Sequence, residues 1–281
     1  MSGASPGNAW SWSAHREPPM FEAAFMRVAL LASVAASLPL SVLGVYLVVR
    51  RVVFLGLVLA NAATVGAAFA QAVEWPPEPV AVLAAVATAL CLGATPPPRR
   101  VPAESIIGWA YAAAASITVL ILAGAARADA DTLHLLYGNV LAVSRSHATL
   151  LVVLGLVSVG LHLAFGSRWL LVTFDAEAAH VAGVSTRLWS VALNLSIGVA
   201  AAVTVHEIGA LLTFALLTLP PMASLLVSRR IRTVFVASAL IGVVSVCLGL
   251  VAAFQFDLPP GPVSVALLVL AVAAAGIVGR Q

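Results

Sequence analysis

The chain is dominated by apolar runs about as long as a bilayer is thick, separated by short turns of two alternating kinds. A helix needs about 20 apolar residues to cross the hydrocarbon. Nine runs meet that measure, at roughly 24–49, 52–73, 79–95, 106–126, 149–166, 189–205, 208–227, 233–254 and 263–279. Backbone amides and carbonyls find no water in lipid, so runs of this length fold as helices. The first contains LASVAAS, which looks like part of a signal sequence, yet it stays apolar to Val49 and reads as a span. The expected fold class is an all-α polytopic membrane protein with about nine transmembrane helices. At 62% hydrophobic and 9% charged residues, a water-soluble domain of 281 residues could not hide its apolar surface.

The fourteen basic side chains are all arginine. Arg50 and Arg51, Arg99 and Arg100, Arg168, Arg187, Arg229, Arg230 and Arg232, and Arg280 fall at alternate turns. The opposite turns read EWPPEP, RADAD and QFDLPP and are mostly acidic. The positive-inside rule places the arginine turns in the cytoplasm, the N-terminus outside and the C-terminus inside. Arg27, near a span end, can snorkel. The formal charge of +3 is spread over span ends and argues for no nucleic-acid partner. The absence of lysine excludes a P-loop, whose lysine must reach the β- and γ-phosphates. Energy for uphill work has to come from a partner or an ion gradient. Cys91 and Cys247 lie singly inside apolar runs and form no disulfide framework.

Residues 1–20 are polar, lack periodicity and read as a disordered extension, with Met20 an alternative start. Residues 21–281 form the transmembrane domain. Residues 132–145 (TLHLLYGNVLAVSR) are too short to span and too apolar for an ordinary loop. They fit an outer interfacial or re-entrant helix, or a helix packed on the bundle.

Four polar features could carry chemistry. Between the fifth and sixth runs, Asp175 is a good N-cap and Gly183 a good C′ residue, so Ala176 to Ala182 form about two turns of helix. It is either a docking element for another protein or a solvated loop helix. Pro220 and Pro221 interrupt the seventh run and free carbonyls one turn earlier, with Thr213 and Thr218 at hand. His206 and Glu207, between the sixth and seventh runs, are an ionisable pair and possess ligand atoms for zinc, manganese or iron. Adjacent helical residues point about 100° apart, which opposes chelation of one ion. In the second run, Gly56, Ala60, Thr64 and Ala68 form a small-residue stripe, with Asn61 beside it as a pathway or interhelical hydrogen-bonding residue. His134, His147, His162 and His180 are scattered and show no ligand spacing.

Five segments in order resemble the permease subunits of metal-type (zinc, manganese, iron) ABC importers, the ABC-3 permease family. GVYLVVRRVVFLG is similar to their G-x-x-x-V-x-R-R-x-x-F-x-G signature, LLYGNVLAVS to their outer motif, and DAEAAHVAGV to their coupling segment. IGALLTFALLTLPPMAS resembles their proline-bearing span and PPGPVSVALL their terminal P-x-G-P element. The resemblance implies a type II ABC importer-like fold and a permease domain over 21–281. It also implies a second permease copy, an ABC ATPase subunit that carries ATP and Mg²⁺, and an extracytoplasmic solute-binding protein. The setting is a bacterial cytoplasmic membrane, and this chain itself binds no cofactor. Asp175, Glu177, Ala178 and Gly183 would shape the coupling helix.

One departure stands out. The family's second span usually carries an aspartate and a histidine as metal contacts, and this chain has Leu57 and Asn61 there. Leucine cannot coordinate, and asparagine offers a weak neutral oxygen. The candidate pathway residues are then Asn61, His206, Glu207 and Pro220, with His206 and Glu207 as the available metal ligands. The expected function is an ATP-driven importer of a divalent transition metal. The alternatives are an ABC permease for a chelate or non-metal solute, a gradient-driven carrier using His206 or Glu207 as proton shuttles, and a non-transporting scaffold.

Overall fold

The computed structural model describes residues 24–94, 101–124 and 143–279. Among these are ten helices: α1 (Ala24–Val49), α2 (Phe54–Ala72), α3 (Pro77–Ala94), α4 (Ala103–Gly124), α5 (Arg145–Phe174), α6 (Ala176–Val181), α7 (Thr186–Ile208), α8 (Ala210–Val227), α9 (Ile231–Phe256) and α10 (Pro260–Val278). All but α6 are long and apolar enough to cross a membrane. The expected disordered extension, and residues 132–142 of the expected outer helix, lie outside the described residues. Arg145, the last residue of that expected helix, instead opens α5.

Two spans are longer than their apolar runs suggest. The run at 149–166 is the middle of a 30-residue helix, α5. Gly166 and Arg168 look like a turn in sequence. The helix continues because Trp169 faces the core at 2% exposure while the Arg168 guanidinium stacks on Trp189, 5.0 Å from the ring centroid. At its other end the Ser144 side chain caps α5 by accepting from the His147 amide at 3.2 Å. The sixth run likewise extends to Ile208, so His206 and Glu207 belong to the last turn of α7 and not to a loop between spans. Gly209 alone separates α7 from α8. Its φ of 84° and ψ of 158° lie where only glycine is unstrained.

α1 runs through the middle of the bundle, against α5, α7, α8 and α9, while α2 packs on α3, α4, α7 and α8. The small-residue stripe of α2 is wholly buried. Its Gly56 meets Leu217 of α8, and Ala60 joins Val205 and Ala210 in one apolar cluster. Ala63 and Ala67 join Ala81, Ala85 and Ala202 in another. Small side chains let backbones approach, which is the source of packing energy where lipid offers no hydrophobic drive. An aromatic cluster fastens α1 to α5 and α9: Tyr46 is tilted on Phe235 and edge-on to Trp169, and its hydroxyl lies 2.8 Å from His162 Nδ1.

The helices hold their prolines by a repeated device. Pro221 has no amide to give the carbonyl of Leu217, and Pro39 none to give that of Ala35. Neither carbonyl is left facing lipid. The Leu217 oxygen rests against Gly44 of α1, so closely that a Cβ at residue 44 would overlap it. The Ala35 oxygen faces Gly155 of α5, where a Cβ would stand 3.0 Å away. Glycines thus lie against these two freed carbonyls, an approach that suits a weak C–H···O contact, while Pro220 frees a third, that of Leu216. The threonines at hand do something else: Thr213 and Thr218 bond the carbonyls of Gly209 and Phe214, one turn back on their own helix. α8 therefore continues through Pro220 and Pro221 without a break.

Candidate functional site

The polar side chains gather at the two ends of the bundle. At one end Glu78, in the first turn of α3, meets His147, in the first turn of α5, and Glu207, in the last turn of α7. His147 Nε2 lies 3.1 Å from Glu78 Oε1, and its Nδ1 lies 2.8 Å from Glu207 Oε1. Each ring nitrogen thus faces a carboxylate oxygen of a different helix. The helix ends explain why the trio is needed. A carboxylate at a helix C-terminus opposes the macrodipole, and Glu207 is placed that way in α7. Glu207 is 11% exposed, and the His147 ring gives its carboxylate a partner in place of water. Beneath the trio lies a cavity of about 510 Å³ between α3, α5 and α7, with Glu78, His206 and Glu207 at its charged end and Val82, Leu150 and Val203 among its walls.

His206 and Glu207 do not act as a pair here. Glu207 is turned to His147, while His206 lines the cavity and its Nδ1 is buried with no hydrogen-bond partner among the described residues. Among the described residues no three His, Cys, Asp or Glu side chains converge on a point that could hold a metal ion. Asn61 is not turned to a neighbouring helix either: its Nδ2 donates to the Leu57 carbonyl at 2.9 Å, one turn back. Pro220 is buried within α8. Glu78 and His147 were the residues the sequence concealed. They sit in the EWPPEP turn and beside a helix cap, and only tertiary packing unites positions 78, 147 and 207.

At the other end, Arg50 closes α1 and reaches across two helices. Its Nε donates to Thr173 Oγ1 of α5 and its Nη2 to Ser190 Oγ of α7, each at 3.2 Å. Burial pushes the guanidinium's pKa below its ordinary value. Arg168 and the first turn of α7 lie at this same end. So does α6, which follows the expected plan closely. Asp175 Oδ1 accepts from the Ala178 amide at 2.8 Å. Past the helix, Gly183 at φ 76° donates to His180 and Val184 to Ala179, the two bonds of a Schellman motif. The result is a short helix that exposes Glu177 and Ala178, with Val181 88% exposed; Phe174 and Leu188, on the flanking helices, are exposed too. The capped helix thus carries an exposed apolar side chain between two span ends.

The family model of the ABC 3 transport family matches residues 22–278. A manganese transport system membrane protein, MntC, of Halalkalibacterium halodurans is 27% identical over 237 residues, 84% of this chain and 81% of that one. A probable metal transport system membrane protein of Chlamydia trachomatis is 24% identical over 245 residues, 85% of this chain and 84% of that one. Among solved structures, PsaBC from Streptococcus pneumoniae in complex with Fab aligns with a TM-score of 0.80 at 18% identity, over 91% of this chain and 92% of that one. The fold is thus that of a known multi-pass membrane protein, and the match over nearly the whole described length shows that this chain belongs to the ABC 3 transport family.

Proposed function

We propose that the chain is the membrane-spanning permease subunit of an ATP-driven importer for a divalent transition metal, with manganese as the foremost cargo. The observation that carries this reading is α6. A capped and sealed helix of two turns with an outward valine is the shape that couples nucleotide-driven closure of an ATPase to movement of the spans. The partners are an ABC ATPase, which carries ATP and Mg²⁺, an extracytoplasmic solute-binding protein and a second permease copy. The arginine end faces the cytoplasm of a bacterial cell, with the N-terminus outside and the C-terminus inside. The acidic end then faces the arriving cargo. His206 and Glu207, with Glu78 and His147 beside them, are the groups that first meet the cation, and a mixed set of two carboxylates and two imidazoles holds ligand atoms that transition metals such as manganese accept. Asn61 is the pathway position on α2.

Co-expression with the ATPase and binding protein of the neighbouring genes tests this reading, with cellular metal measured by elemental mass spectrometry. Accumulation of one transition metal that is lost in the His206→Ala/Glu207→Gln double variant is the expected result. An assembled, ATP-hydrolysing complex with unchanged metal content would remove the metal from the proposal.

A further inference from the structure

The arginine end contains a second cavity, of about 650 Å³, between α1, α2, α3, α4, α5 and α7. Among the described residues its polar lining is Arg50, Arg51, Thr173, Ser190 and Asn194, with no carboxylate. Arg50 is half-buried, and its only side-chain hydrogen bonds among the described residues are those to the Thr173 and Ser190 hydroxyls. Each hydroxyl accepts from the guanidinium and so keeps its own proton to donate. Asn194 is 7% exposed, lies on the cavity wall and makes no hydrogen bond among the described residues. The Asn194 amide is thus open to whatever fills the cavity, and a guanidinium partly withdrawn from water normally has a counter-ion. This cavity therefore offers donors from three helices and supplies no anion of its own. The remaining wall is apolar, with Leu55, Leu92 and Ile107 among its residues.

We propose that this cavity binds the phosphate of an anionic phospholipid in the cytoplasmic leaflet, with Arg50 and Asn194 holding the phosphate oxygens and the apolar wall receiving the start of the acyl chains. A volume of this size is that of a ligand site. Basic pockets between spans on the cytoplasmic side are where anionic headgroups bind. A free phosphate ion shares the headgroup's chemistry, but it would leave the apolar wall in contact with water. The bound headgroup would brace the end of α1 against the two helices that frame α6.

The test uses the full chain purified in detergent and needs no ATPase, so it stands apart from the transport reading. Phosphatidylglycerol and phosphatidylcholine, in equal amounts in mixed micelles, are scored by native mass spectrometry, with inorganic phosphate as a third arm. Phosphatidylglycerol should be retained over phosphatidylcholine by at least about fivefold, the scale of one basic side chain near a headgroup. Arg50→Gln and the milder Asn194→Ser should each reduce that preference, and Arg50→Lys should keep part of it. Thermal unfolding in the same micelles should shift upward with phosphatidylglycerol for the parent chain and less for Asn194→Ser. Equal retention of the two lipids, or a preference untouched by Asn194→Ser, would overturn the proposal. Displacement of the lipid by millimolar inorganic phosphate, with no loss of thermal stability, would also overturn it, because the occupant would then be the free anion.

Discussion

The seam between α1 and α8 and the crevice between α3, α5 and α7 hold the same bundle together by opposite means. The seam is backbone against backbone. Gly44 lies on the Leu217 carbonyl, Gly56 receives the Leu217 side chain, and Tyr46, Trp169 and Phe235 close the flank. The crevice is open below and joined at its end by one imidazole between two carboxylates. Packed interfaces are bistable at best and do not yield gradually. Exposed ion pairs are individually weak. The comparison teaches which part of the molecule is frame and which part is free to open.

The sharpest way to break the comparison is Gly44→Ala. Its Cβ would overlap a backbone oxygen that no rotamer change can move, so destabilisation of about 1–3 kcal/mol is expected from overpacking. It would be read as loss of monodisperse protein in detergent and a lower unfolding temperature. Gly160→Ala is the control: nothing stands within 4 Å of its Cβ, and alanine favours the helix by about 1 kcal/mol over glycine. If both variants behave alike, the frame reading fails. Gly155→Ala should fall between them, with a loss of about 1 kcal/mol, because at 3.0 Å its neighbour has to give by only a few tenths of an ångström.

His147→Ala should cost little through its Glu78 contact, where the ring is 38% and the carboxylate 49% exposed, and more through Glu207, which is 11% exposed and loses its partner. Metal uptake by the assembled transporter should nevertheless fall severalfold, since two carboxylates lose their common partner at the mouth. A large drop in unfolding temperature with normal uptake would reverse the assignment of frame and crevice. Val181→Asp is expected to have the least effect on the fold, because an 88% exposed side chain has no packing to lose. It should instead abolish co-purification of the ATPase.

Features made by neighbours along the chain could be read in advance. The spans, the Asp175 cap and the Gly183 terminator depend on residues within a few positions of each other, and the structure has them where local rules place them. Boundaries drifted where a charged side chain found a distant partner, as Arg168 did on Trp189. The site at the acidic end was half legible. Glu207 declares itself as a carboxylate at the edge of an apolar run, but His147 looked like any isolated histidine until α5 brought it beside α7. The coverings of the freed carbonyls were not legible at all. A proline announces that a carbonyl lost its amide, and nothing nearby in sequence says which glycine answers it.

Substitutions at Gly44 and Pro221 are therefore expected to be coupled although the two residues lie on different helices. Alanine at 44 is harmful while Pro221 leaves the Leu217 carbonyl pressed against α1, and its cost should change if residue 221 regains an amide and the two helices can separate slightly. Contacting residues of this kind are where mutational effects stop adding. A chimaera that took its first helix from one relative and its eighth from another would have to exchange both positions together, whatever cargo either parent carried.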